Sequence, residues 1–285
     1  NNTAVGNRAL TANTTGTLNN AFGALALDAN TTADANNAFG TEALSSATTG
    51  AYNTAMGHRA LRDNTTGEGN VAVGNDALKA NTTAADNTAV GMNALLTNET
   101  GANNTAVGTS ALKLNTGAGN TAVGRGALLN NSTASNNTAL GYDALNDCTT
   151  GDENVAVGKG ALAALTTAED NVAIGALALA ATNNSRNMGI GYRALTAQSG
   201  SSDNIAIGYD ALVRQTTGAN GNIAIGNYAG RGVVSSASTS QLVAIGHHVA
   251  SHASADMAGY QNVFVGYNIA SASGLAGAFR NTALG

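Results

Sequence analysis

The chain has 285 residues, with 36 Gly, no Pro, no Trp, 4% aromatic and 10% charged residues, and a formal net charge of −5. That palette excludes a thick globular core, which needs bulky side chains to close-pack, and leaves a narrow interior of Ala, Val, Ile and Leu. It also excludes the basic stripe of a nucleic-acid partner, and no apolar run approaches the roughly 20 residues of a membrane-spanning helix.

The first element sets the pattern for the rest. Asn2-Thr3-Ala4-Val5-Gly6 is followed by Ala9-Leu10 and by Asn13-Thr14-Thr15-Gly16, and the same order restarts 17 residues later at Asn19. The glycine returns at Gly23, Gly40, Gly57, Gly74, Gly91 and Gly108, then at Gly124, Gly141, Gly158, Gly175, Gly191, Gly208, Gly226, Gly246, Gly266 and Gly285. Its spacing is 17 for most of the chain, 16 twice, and 18 to 20 near the end. Such regularity is the mark of a repeat architecture. Residues 1–218 hold regular repeats and 219–285 longer, degenerate ones, within a single domain over 1–285.

Each unit predicts two short strands. The first is T-A-V or V-A-I, rich in β-branched residues, and Gly ends it because Gly turns with positive φ at no steric cost. The Ala-Leu pair predicts the second strand. It is unbroken through Ala211-Leu212 and then decays to Ala229-Gly230, Val249-Ala250 and Ile269-Ala270. N-T-T-G or N-T-T-A closes the coil, with Asn and Gly as turn formers. A 17-residue unit cannot bury a core alone, but stacked copies can pair each strand with its counterpart. The fold class is therefore all-β: a parallel β-solenoid of about sixteen coils. A helical repeat is excluded by the frequent Gly and the lack of a helical stripe.

Four residues before each glycine stands an Asn: Asn2, Asn19, Asn36, Asn53, Asn70, Asn87, Asn104, Asn120, Asn137, Asn154, Asn171, Asn187, Asn204, Asn222, Asn262 and Asn281, with Leu242 the exception. Stacked amides can form a ladder and satisfy turn backbone groups; a ligand-binding row of amides is the alternative. Within the first strand the residue two before the glycine is Ala, except at Gly189 and Phe264, and the next is always apolar. Alternate strand residues face opposite sides, so both faces are apolar. One lines the coil; the other needs a dry partner, another copy of the chain or a neighbouring side of the same coil.

Tyr142, Tyr192, Tyr209 and Tyr267 each directly follow a repeat glycine in the later half. Exposed aromatics favour interfaces, so these are candidate partner-binding residues; the plain alternative is turn decoration. Cys148, the only cysteine, stands where Asn is commoner and reads as a tolerated substitution, with a reactive thiol as the alternative. His247, His248 and His252 cluster near Asp256 but occupy turn positions, and are read as solvated rather than as metal ligands. No nucleophile elbow, phosphate loop or paired-carboxylate constellation is present. No enzyme activity and no cofactor are expected. Sequons such as Asn13-Thr14-Thr15 and Asn64-Thr65-Thr66 recur because the repeat does.

The late units Asn204-Ile-Ala-Ile-Gly208, Asn222-Ile-Ala-Ile-Gly226 and Leu242-Val-Ala-Ile-Gly-His-His-Val-Ala250 resemble the repeats of YadA-type trimeric autotransporter adhesin heads. The earlier N-T-A-V-G-x-x-A-L units resemble repeats of bacterial surface proteins and phage tail fibres. The resemblance implies a left-handed parallel β-roll, often trimeric, acting as a rigid head or shaft on a cell or virion surface. Its implied partners are further copies of itself and a host or cell-surface receptor or glycan.

Two rival functions remain. An ice-binding solenoid would use the stacked ranks Thr14-Thr15, Thr31-Thr32, Thr48-Thr49, Thr65-Thr66 and Thr82-Thr83, although adjacent strand residues face opposite ways. A carbohydrate-active or acyl-transfer β-helix enzyme would need a catalytic cluster that is not visible. The sequence opens inside a first strand and closes at Asn281-Thr282-Ala283-Leu284-Gly285, at the end of the same strand. That predicts a piece of a longer protein, or ends that stack on neighbouring subunits into a filament.

Overall fold

The computed structural model describes residues 1–197, 200–215, 219–232, 241–251, 261–269 and 282–285. Its regular structure is seventeen three-residue strands running parallel, with no helix among the described residues. The chain divides into two compact units, residues 1–139 and 140–285. The first holds β1 (Thr3–Val5) through β8 (Thr121–Val123), and the second holds β10 (Val155–Val157) through β17 (Thr282–Leu284); β9 (Thr138–Leu140) contains the division.

Within each unit every strand pairs with the next in sequence, and the register keeps equivalent repeat positions aligned. Ala21 faces Ala38 in the first unit, and Ala156 faces Ala173 in the second. The alignment survives changes in repeat length: Val172 pairs Met188 across 16 residues, and Ile223 pairs Val243 across 20. Register is held where side chains must meet, and length varies elsewhere.

The repeat glycine is required twice over. Gly91 has φ +134°, and a Cβ there would lie 2.6 Å from the carbonyl oxygen of Gly108 in the next coil. No L side chain fits either demand.

The Ala-Leu pair is not a second strand. It lies in a turn, and its Leu adopts the left-handed region, with φ 51° at Leu27, 49° at Leu78 and 51° at Leu162. The pair still bonds to the coil above, as in Leu27 N–H to the Ala43 carbonyl at 3.1 Å. Left-handed backbone costs a non-Gly residue about 1–2 kcal/mol. Full burial of a Leu side chain returns roughly 1.5–3 kcal/mol, so Leu is retained where conformation alone would choose Gly or Asn. These leucines are the largest fully buried side chains, beside the strand alanines and the Ala of each pair. The core is one small side chain thick, as the composition demands.

Candidate interaction surfaces

The asparagine column is spent inside the coils. The backbone N–H of each member donates to the side-chain oxygen of the Asn before it, at 2.9 Å for Asn19 to Asn2, Asn36 to Asn19 and Asn53 to Asn36. The column continues through Asn70, Asn87, Asn104, Asn120 and Asn137 at 2.9–3.0 Å. In the second unit it runs from Asn154 through Asn171, Asn187 and Asn204 to Asn222 at 2.9–3.1 Å. Leu242 keeps the backbone half of the pattern, donating to Asn222 Oδ1 at 2.8 Å. The amide nitrogen reaches across the coil, as in Asn19 Nδ2 to the Ala33 carbonyl and Asn36 Nδ2 to that of Gly50. Asn19 through Asn262 are buried, Asn2 is exposed, and Asn281 lies outside the described residues. An amide that is buried and bonded at both ends presents no surface to a ligand.

A second asparagine column, at the start of N-T-T, is not anticipated above. Asn30 Nδ2 donates to Asn13 Oδ1 at 2.8 Å, Asn81 to Asn64 at 2.7 Å, and Asn115 to Asn98 at 3.0 Å. Its signal is the recurrence of Asn at that position in seven of the first eight coils, a pattern that turn formation also explains; Cys148, Leu165, Thr182 and Gln215 stand there later. The column is interrupted at Ala47 and again between Asn81 and Asn98, and the Oδ1 atoms of Asn30, Asn81 and Asn131 are left buried without a partner. The same burial closes the sequons at Asn30, Asn64, Asn81, Asn98 and Asn131, which have no exposed surface, whereas that at Asn13 is half-buried. Cys148 holds the equivalent repeat position in the second unit, with its Sγ 3.3 Å from the Gly151 carbonyl oxygen. Burial pushes its thiol up to about 11, which makes it inert rather than nucleophilic.

The strands present the opposite character outward. Their central Ala points into the coil and is fully buried from Ala21 to Ala244, while the first and third residues face solvent. In the first unit the outer pair mixes polar and apolar residues, such as Thr54 with Met56 and Thr88 with Val90, and Phe22 stacks on Phe39 with centroids 4.9 Å apart. In the second unit both columns are apolar for seven consecutive coils, from Val155 and Val157 through Ile205 and Ile207 to Val263 and Val265. Among the described residues this face stays open, with Ile174 and Ile225 39% and 37% exposed. Beside this stripe runs a shallow groove lined by Val172, Met188, Ile205 and the paired Arg186 and Asp203. Arg186 Nε lies 2.7 Å from Asp203 Oδ1, and this contact holds the carboxyl below its usual range.

The tyrosines separate into two groups. Tyr192 stacks on Tyr209 with centroids 5.3 Å apart, and Tyr209 meets Tyr228 edge-on at 5.3 Å. Tyr228 stacks on His248 at 4.6 Å, and His247 stacks on Tyr267 at 5.5 Å. His247 and His248 touch at 4.3 Å, so one aromatic ladder crosses five successive coils. Tyr142 is outside it, because the equivalent positions of the next two coils hold Lys159 and Ala176. Tyr228 and the two histidines are members that the sequence reading left out. Among the described residues no three His, Cys, Asp or Glu side chains could share a metal ion; His252, Asp256 and Tyr260 lie outside them. No described helix is long and apolar enough to cross a membrane.

The two threonines of N-T-T differ. The hydroxyls of Thr14, Thr31, Thr48, Thr65 and Thr82 donate to a carbonyl of the next coil at 2.9–3.2 Å. Thr15, Thr32, Thr49, Thr66 and Thr83 are exposed and form a single file.

The chain matches no protein-family model, no curated protein and no solved structure. Its surfaces therefore have to be read from their own chemistry.

Proposed function

We propose that the protein is a structural element of an extracellular fibre, shaft or adhesin head on a cell or virion surface, and that copies of it associate side by side through the outer face of the strands. The observation that carries this reading is the double apolar column of the second unit. Seven coils at ~4.8 Å rise make a stripe roughly 30 Å long, and contiguous apolar patches of a few hundred Å² mark interaction sites in soluble proteins. A partner must offer apolar side chains at the same axial repeat, and a second copy of this chain does so in every coil. The resemblance to trimeric adhesin heads supports three copies wound in parallel. The buried, internally bonded asparagines suit a rigid scaffold rather than a catalyst. The alternative of ice binding is left with one exposed file of threonines, because the other file is bonded within the stack.

Sedimentation velocity of the wild type and of an Ile205→Lys/Ile207→Lys variant tests the proposal. The wild type is expected to sediment as a homo-oligomer and the variant as a monomer, with the same circular dichroism. A wild type that stays monomeric at high concentration would overturn it.

A further inference from the structure

The aromatic ladder has a chemistry distinct from that of the apolar stripe and lies on a different column of the coil. We propose that it is a binding strip for an extended acidic polysaccharide, one whose sugars carry carboxylate or sulfate groups. Stacking takes one face of Tyr192 and Tyr209, of Tyr228 and His248, and of His247 and Tyr267, and an edge-on contact joins Tyr209 to Tyr228. What these residues offer solvent is edge and hydroxyl, the positively polarised and hydrogen-bonding part of the ring. Tyr192 and Tyr209 are each 41% exposed and Tyr267 is 73% exposed.

Two guanidiniums flank the rings: Arg193 lies 5.9 Å from the Tyr192 centroid and Arg231 lies 5.2 Å from that of Tyr228. Among the described residues the carboxylate that pairs with them is Asp210, almost fully buried and 3.5 Å from Arg193. On a chain of net charge −5 this strip is locally positive. An anionic, acceptor-rich ligand is therefore favoured over a neutral one. A polymer is favoured over a small ion because the donors repeat along the stack. A sugar in an extended chain is about as long as one coil rise, ~4.8 Å, so successive residues can meet successive rungs. Single-stranded nucleic acid is also anionic, but it binds by stacking bases on open ring faces, and here one face of each ring is already stacked on a neighbouring rung.

Affinity electrophoresis of the intact protein through gels containing polygalacturonate, dextran sulfate, neutral dextran or poly(dT) tests the proposal. Retardation is expected with polygalacturonate, dextran sulfate or both, the two arms separating carboxylate from sulfate recognition, and not with dextran or poly(dT). Tyr192→Ser/Tyr209→Ser/Tyr267→Ser should weaken binding about tenfold or more, and so should Arg231→Gln together with Tyr267→Ser, which touches one half-buried and one exposed side chain. Tyr142→Ser, outside the ladder, should leave it unchanged. Ile205→Lys/Ile207→Lys should still bind, so failure of self-association and failure of this strip are told apart. Equal retardation by dextran or poly(dT), no retardation by either acidic polymer, or undiminished binding by both ladder variants would overturn the proposal.

Discussion

Ala47→Asn should make this protein more stable, an unusual direction for placing a polar side chain in a fully buried site. Ala47 interrupts the second asparagine column, and the Asn30 side-chain oxygen beneath it has no partner. The backbone at the gap already matches its neighbours. Ala47 N–H bonds the Leu44 carbonyl at 3.2 Å, as Asn30 bonds Leu27 and Asn64 bonds Leu61, both at 3.2 Å. An Asn there would donate to Asn30 Oδ1 and to the carbonyl of Gly50, the bond that Asn64 makes to Gly67 at 3.0 Å. A satisfied hydrogen bond is worth about 0.5–1.5 kcal/mol net, and relieving a buried unpaired acceptor adds about 1–3 kcal/mol before the desolvation of the new amide is subtracted. The expected gain is roughly 1–2 kcal/mol, a rise of about 2–6 °C in melting temperature for a chain of this size. Ala47→Asp is the control: it has nearly the same shape but no amide donors, and would set a carboxylate against the orphaned oxygen. Thermal melts followed by circular dichroism should move in opposite directions for the two variants. Movement in the same direction would refute the assignment of the gap as an unfilled rung.

Further outcomes follow from the same packing. Ala106→Leu or Ala122→Leu overfills the coil and should cost about 1–3 kcal/mol, whereas Arg125→Ser on the surface should stay within ~0.5 kcal/mol; equal denaturation midpoints would contradict the burial of the strand alanines. Gly91→Ala meets both a left-handed backbone and the Gly108 carbonyl, and should destabilise by more than ~2 kcal/mol, measured by urea titration. Cys148 should resist a disulfide reagent at pH 8 until the chain unfolds. Because its folded value of about 11 stands above the usual thiol value of 9.0, its contribution to stability is intact below 9 and is lost as pH rises through 11.

The solenoid was legible because one period governs everything, and Gly6 to Gly208 mark it without a gap. The inward strand position was legible for the same reason, since only Ala recurs there. The Ala-Leu pair was misread because Leu at positive φ contradicts its local preference; burial in the next coil decides the conformation, and no single unit reveals that. The second asparagine column was hidden behind a sufficient local explanation, the turn. The aromatic ladder was half visible. Tyr192 and Tyr209 are 17 apart, but the later repeats stretch to 18–20 residues and a second aromatic position enters at Tyr228 and His248, so equal spacing no longer identifies neighbours.

The central claim is that the outer strand face is covered by another copy. The direct measurement places a cysteine there, as Ile207→Cys in β13 (Ile205–Ile207), with Ser202→Cys, half-buried and outside the strand, as reference; native Cys148 is buried and silent. Maleimide labelling is followed across a dilution series. The account predicts that Cys at 207 is protected at high protein concentration and becomes reactive on dilution, while Cys at 202 labels at one rate throughout. Equal, concentration-independent labelling at both positions would contradict it.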